Sequence, residues 1–244
     1  MFQDVTDDDD DAELKRTVLL GYTDVDASSS RALLGIDMRL EYHSFKVPSL
    51  QDHQFLPACI RSIRAKPREQ EFQAFQILNC KYEEFSAVIV NTSVPGTHCH
   101  LVANTILDLC AKSPFTEKII FLASLKLDLP SSLQQSRMFE VAWNTDPVTS
   151  SPTLPADTKI CDSFFSTFSQ FAQVEKIPVI YFISQGQRAL FGQASSFDGS
   201  LQNIATFQSE LNNLTRLRFD QDLSNSLIFQ GLPGKETAPD WIYE

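Results

Sequence analysis

The sequence predicts a single-domain α/β protein: a mixed sheet with helices on both faces, set between an acidic disordered N-terminal arm and a flexible C-terminal tail. Three observations lead there. The runs "SAVIV" (Ser86 to Val90), "EKIIFLAS" (Glu117 to Ser124) and "KIPVIYFIS" (Lys176 to Ser184) are short, β-branched and almost continuously apolar, the pattern of strands covered on both faces. Between the first two, Leu101, Val102, Ile106, Leu109 and Cys110 recur near helical spacing, and a helix joining two buried strands points to a parallel βαβ unit. The chain has 244 residues with 43% apolar content, enough to close one sizeable core.

Residues 1–14 hold seven carboxylates, Asp4, Asp7 to Asp11 and Glu13. Such a run repels itself and stays solvated, which favours a disordered arm over a metal- or histone-binding segment. The α/β body then spans residues 15–230. Its first part, Thr17 to Tyr22, Ile36 to Val47 and Phe72 to Cys80, alternates more and reads as strand-rich and partly antiparallel. The turn "SVPGT" (Ser93 to Thr97) opens the helix that follows the first buried strand.

A long loop spans residues 142–158: "WNTDPVTSSPTLPAD" carries three prolines, several Ser and Thr, and no period. The βα pattern resumes directly after it, so it is expected to be a mobile insertion in one domain. Phe164, Phe165, Phe168, Phe171 and Ala172 then form one apolar stripe behind a candidate N-cap, Asp162. A last helix is expected over Leu201 to Leu217, with Ile204, Phe207, Leu211 and Leu214 turned inward.

Charge narrows the function classes. A formal net charge of -11 opposes binding to a phosphate backbone, which needs clustered Lys and Arg. Taking away the seven arm carboxylates leaves -4 on the rest, unremarkable for solubility. The N-terminus lacks the basic residues and apolar stretch of a secretory signal, and no run of about 18 apolar residues would span a membrane. A cytoplasmic protein is expected, with the nucleus left open. Cys59, Cys80, Cys99, Cys110 and Cys161 are odd in number and nowhere spaced C-x-x-C, so free buried thiols are expected, with neither a disulfide framework nor a zinc knuckle.

Catalytic signatures are missing: there is no G-x-S-x-G elbow, no Walker-type loop, no G-x-G-x-x-G and no H-E-x-x-H. The best candidate for chemistry is "VPGTHCH" (Val94 to His100), because it links a strand to a helix, where α/β folds place ligands. It offers Cys99 as a nucleophile and His98 and His100 as bases. Neighbouring positions on a helix point in different directions, however, so these three do not converge on a metal or form a triad. "SQGQRALFG" (Ser184 to Gly192) is a weaker candidate, its glycines reading as turn formers. No catalytic residue, metal ligand or cofactor is assigned, and a non-enzymatic protein is expected. The alternative is an α/β enzyme or small-ligand-binding protein that uses residues 94–100.

Residues 231–244 offer something else. Gly231, Pro233, Gly234 and Pro239 preclude regular structure, and the segment closes on Trp241, Ile242, Tyr243 and Glu244. Ile242, Tyr243 and a terminal carboxylate on Glu244 form a hydrophobic-tyrosine-any pattern suited to a pocket of another protein: the aliphatic side chain supplies burial, the ring adds area and a hydroxyl, and the carboxylate can meet a lysine. The other reading is that Trp241 to Tyr243 fold back on their own core.

The tail pattern, the stretch "AQVEKIPVIYFI" (Ala172 to Ile183) and the ending "WIYE" resemble the proteasome assembly chaperone family. That resemblance implies a non-enzymatic chaperone for 20S proteasome assembly. It would pair with a second, related assembly chaperone, bind the ring of proteasome α-subunits, and dock through Ile242, Tyr243 and Glu244, with Trp241 beside them. The 19 phenylalanines, generous for one core, add to the expectation of an interface.

Overall fold

The computed structural model describes residues 13–48, 50, 55–60, 72–186 and 200–229. In chain order it contains β1 (Thr17–Tyr22), α1 (Ser28–Leu34), β2 (Leu40–Ser44), β3 (Cys59–Ile60), β4 (Phe75–Cys80) and β5 (Phe85–Val90). A 3-10 turn (Gly96–His98) leads into α2 (Cys99–Lys112), then β6 (Lys118–Leu125), β7 (Phe139–Trp143), α3 (Ser163–Val174) and β8 (Val179–Gln185). The described chain closes with α4 (Ser200–Leu214), α5 (Gln221–Ser226) and β9 (Ile228–Phe229).

The main sheet has seven strands in the order β2-β4-β5-β1-β6-β8-β7. Four central strands, β5, β1, β6 and β8, run parallel, while β4 and β2 on one side and β7 on the other are antiparallel. The expected βαβ unit is present with one strand added: β5, α2 and β6 form the crossover, and β1 sits between the two strands it joins. The N-terminal part is strand-rich and partly antiparallel as expected, with β2 and β4 supplying the antiparallel pairs and β1 running parallel. All six residues of β1 are buried because both faces are covered.

Period-2 alternation sends each strand's side chains into two cores. Val18, Leu20 and Tyr22 of β1 join Phe121 of β6, Tyr181 of β8 and the helices α2 and α3 on one face. Leu19, Ile120, Leu122, Ile180 and Phe182 meet α1 and α4 on the other. The first core is aromatic at its centre, with Phe121 4.9 Å from Phe168, 5.4 Å from Tyr22 and 5.4 Å from Phe165 by ring centroids. Eleven phenylalanines are buried in these two cores and their margins, and only Phe115 and Phe229 are exposed among the described ones. Most of the described phenylalanines therefore lie inside the fold.

Local signals account for the long helices. Asp162 caps α3 as expected, its Oδ1 accepting from the Phe165 N–H at 2.7 Å. On α4, Ile204, Phe207 and Leu211 turn fully inward, and Leu214 is half-buried. α1 depends on tertiary contacts instead. Gly21 lets it press onto β1, where a Cβ would stand 2.9 Å from Leu33 Cδ1 and from the Ser29 carbonyl oxygen. The buried Arg31 guanidinium ties α1 to α4 and α5, donating to Ser200 Oγ at 2.9 Å and to the Ser224 carbonyl at 3.3 Å.

Two boundaries differ from expectation. Leu14, placed with the arm, is fully buried and its N–H donates to Ser113 Oγ at 3.0 Å. The 142–158 loop is pinned: the buried Glu140 carboxylate of β7 accepts from the Thr149 N–H at 2.8 Å, from the Val148 N–H and from the Thr149 hydroxyl, and Leu154 is buried. Four of the five cysteines are free and buried, whereas Cys161 is free and exposed.

Candidate functional site

The C-terminal ends of β1, β5, β6 and β8 form one rim of the sheet, and both sequence-level candidates within the described residues lie on it. After β5, the backbone of Asn91 to Pro95 crosses to the 3-10 turn that starts α2. Asn91 is fully buried and anchors a two-stranded ribbon of β3 and β9: its carbonyl accepts from the Ala58 N–H at 2.7 Å, and its side chain holds the Cys59 N–H at 2.8 Å and the Cys59 carbonyl at 3.0 Å. Pro95, Gly96 and Thr97 are exposed at the tip of the turn.

The Cys99, His98 and His100 group does not assemble into a reactive centre. Cys99 is buried and its thiol points back at the Pro95 carbonyl, 3.6 Å away. Burial, with a smaller contribution from the Asp162 carboxylate, pushes the thiol up from its usual value and keeps it protonated. The His98 ring meets Phe55 edge-on at 6.3 Å, and its Nδ1 is buried without a hydrogen-bond partner. His100 is exposed on α2. Among the described residues no three His, Cys, Asp or Glu side chains gather to hold a metal.

The turn after β1 carries a feature that the sequence reading missed. Asp24 and Asp26 are both buried. Asp24 Oδ2 accepts from the backbone N–H of Ser124 at 2.7 Å and of Ser29 at 3.4 Å, while Oδ1 is buried without a partner. Asp26 Oδ2 accepts from the Ser124 hydroxyl at 3.1 Å and Asn203 Nδ2 at 3.2 Å, and its Oδ1 from the Ser28 N–H at 3.0 Å. Burial first, and then the neighbouring Asp26, lift the Asp24 carboxyl well above the usual carboxylate range. Raised carboxyls are common at reaction sites. Here, however, three of the four carboxylate oxygens are engaged by backbone and side-chain donors from β6, α1 and α4, so the pair clamps the rim together. The local signal was the acid-rich "TDVDASSS" directly after an apolar strand.

A second concavity lies away from this rim, between β7, α3 and the pinned loop. It encloses about 260 Å³ and is lined chiefly by Val141, Trp143, Leu154, Ile160, Phe165 and Tyr181. That is below the range of roughly 300 to 1,000 Å³ typical of organic-ligand sites, and it suits an apolar side chain better than a cofactor. Ile242, Tyr243, Glu244 and Trp241 lie outside the described residues, as does the segment Gln187 to Gly192 of the second loop candidate.

Fold and layering together define an α/β protein with a seven-stranded mixed sheet covered by helices on both faces. In sequence, the chain matches no family model and no curated protein. In structure, it has the fold of proteins connected with the proteasome. Pyrococcus furiosus PbaB, an archaeal proteasome activator, superposes with a TM-score of 0.58 at 11% identity over 88% of this chain and 89% of that one. Pyrococcus furiosus PbaA, an archaeal homolog of proteasome-assembly chaperone, gives a TM-score of 0.50 at 12% identity over 87% and 82% of the two chains. A Thermoplasma acidophilum protein of unknown function gives 0.57 at 13% identity over 87% and 81%.

Proposed function

We propose that this chain is an assembly chaperone for the 20S proteasome. It acts without catalysis, as a heterodimer with a related assembly chaperone, and binds the ring of α-subunits while its C-terminal tail enters an inter-subunit pocket. The observation that carries this reading is the fold shared with PbaA and PbaB over nearly nine-tenths of the chain, to which the "WIYE" tail adds a docking chemistry. The alternative, an α/β enzyme or small-ligand-binding protein using residues 94–100, has less support, because the nucleophile candidate there, Cys99, is buried and its thiol is pushed up.

On this reading Ile242 and Tyr243 bury apolar area in the pocket, each contributing at most about 1.5 to 3 kcal/mol, and the carboxylate of Glu244 pairs with a lysine there. One tail alone therefore binds weakly, which suits a chaperone that must later leave. Affinity comes from coupling the tail to a folded contact and to the partner chaperone on the same ring. The test is deletion of Ile242 to Glu244 in the full-length protein, with binding to purified α-subunit rings as readout. Ring binding is expected to drop by about tenfold or more, and Tyr243→Ala to behave similarly, with folding and chaperone pairing intact. A deletion that binds rings as tightly as the intact chain removes the tail from the mechanism.

A further inference from the structure

The described chain ends on the rim, at a definite place. β9 pairs with β3, Phe229 standing opposite Cys59, and Asn91 at the end of β5 fastens that ribbon above the C-terminal ends of the parallel strands. The proposed anchor at Ile242 is thus tethered to this rim through the twelve residues 230–241. Fully extended, thirteen steps from Phe229 to Ile242 reach at most about 45 Å.

That reach discriminates between faces of the body. The opposite rim, where β6 begins, lies the length of its eight residues away, roughly 26 Å at about 3.3 Å per residue. A tail used beneath that rim would use up more than half of its extension in passing the body, which lowers its effective concentration at a pocket. Used beneath the rim from which it departs, it keeps its whole reach for the pocket. This nearer rim presents Leu56 at 71% exposure, beside the β3 strand, and Phe229 at 40%; the opposite rim also exposes apolar side chains, Tyr82, Phe115 and Val174, so the tail's point of departure decides between the faces. The Asn91 bonds hold Ala58 and Cys59, two and three residues after Leu56, and Phe229 pairs with Cys59.

We propose that the C-terminal rim of the sheet is the face that rests on the proteasome α-subunit ring, with Leu56 and Phe229 as its apolar contacts. The inference rests on the ring-docking reading and adds the surface that works with the tail. Body and tail then engage one ring from the same side, and the short span between them gives the coupling that weak tail binding requires.

The experiment compares Leu56→Glu, Phe229→Glu, the deletion of Ile242 to Glu244, and Phe115→Glu, each in the full-length protein, for binding to purified α-subunit rings. Phe115 is 63% exposed in the connection between α2 and β6, on the opposite rim. Leu56→Glu and Phe229→Glu are each expected to weaken ring binding about tenfold with unchanged thermal melting, and Phe115→Glu to leave it unaltered. Leu56, the more exposed of the two, keeps the test valid if Phe229→Glu loosens the β9 strand. If the deletion weakens binding while both rim variants bind normally, or if Phe115→Glu is the variant that weakens it, the rim assignment is overturned and ring docking stands. If the deletion has no effect, the docking reading falls and takes the rim with it.

Discussion

Replacing Asp24 by asparagine should make the protein more stable at neutral pH, and the gain should depend on pH in a predictable direction. Asp24 is buried, one of its oxygens has no partner, and Asp26 lies close by, so its carboxyl in the folded protein titrates well above the usual range. A carboxyl raised on folding binds more protons folded than unfolded, so its contribution is fully present below the unfolded value near 3.9 and is lost as pH rises through the folded value. In that window Asp24 lowers stability by about 1.4 kcal/mol for each pH unit. The asparagine side chain does not titrate, and its oxygen can still accept from the Ser124 and Ser29 N–H groups. Its amide nitrogen takes the place of the unpartnered oxygen, a cost of about 1 to 3 kcal/mol that is constant with pH. Urea denaturation followed by far-UV circular dichroism at half-unit steps from pH 4 to pH 7.5 gives the difference between Asp24→Asn and the parent. The difference should rise with pH in favour of the variant. A flat difference across the range would refute the argument that Asp24 is held in its raised state by burial.

Two further outcomes follow from the buried groups. Under native conditions one thiol per chain, Cys161, should react quickly with a disulfide reagent, because Cys59 and Cys110 are buried and pushed up to about 12, and Cys80 and Cys99 are buried and raised; two or more fast thiols in a folded sample would contradict this. Glu140→Ala should release the 142–158 loop, leaving two backbone donors without their carboxylate, and cost about 2 to 4 kcal/mol. Limited proteolysis should then cut between residues 145 and 153 faster than in the parent, and equal rates would show that the loop is held by something else.

The legible part of the fold is the part whose order is written locally. β5, β6 and β8 were readable because burial on both faces demands an unbroken apolar run, and α3 because Asp162 and five spaced apolar residues announce it. α1 was not readable: it has seven residues, begins with three serines, and is entered through Ala27 in a left-handed conformation with no side-chain cap. It is held by the close approach to β1 that Gly21 permits and by the bonds from Arg31 to Ser200 and Ser224, partners 169 and 193 residues along the chain that no local window contains. β7 was hidden for a related reason, since an edge strand of five residues is fixed by pairing with β8 and by the loop folded over Glu140. At the rim, the sequence located the strand-to-helix turn at residues 94–100 but not the direction of Cys99, which depends on how α2 packs. The acid-rich turn after β1 was visible but its burial was not, because Asp24 and Asp26 find partners at Ser124 and Asn203, about a hundred residues and more along the chain.

If the rim rests on a ring as proposed, its backbone must hold two apolar side chains in place. A contact made of two exposed apolar side chains is useful only if the backbone beneath does not yield on binding, since ordering a loose surface would consume the small free energy that such a contact supplies. The rim has that support from two directions. Asn91 locks the β3–β9 ribbon to β5, and the Asp24–Asp26 clamp joins the turn after β1 to β6 and α4. The stability that burial of Asp24 costs is thus given up on the same rim of the sheet as the proposed body contact. Relieving it with Asp24→Asn should leave the α-ring affinity of the intact protein unchanged, because the same hydrogen bonds still hold the rim, whereas Asp24→Ala removes the acceptor and should weaken folding and docking together. If Asp24→Ala lost stability but bound α-rings normally, rigidity of this rim would have no part in docking.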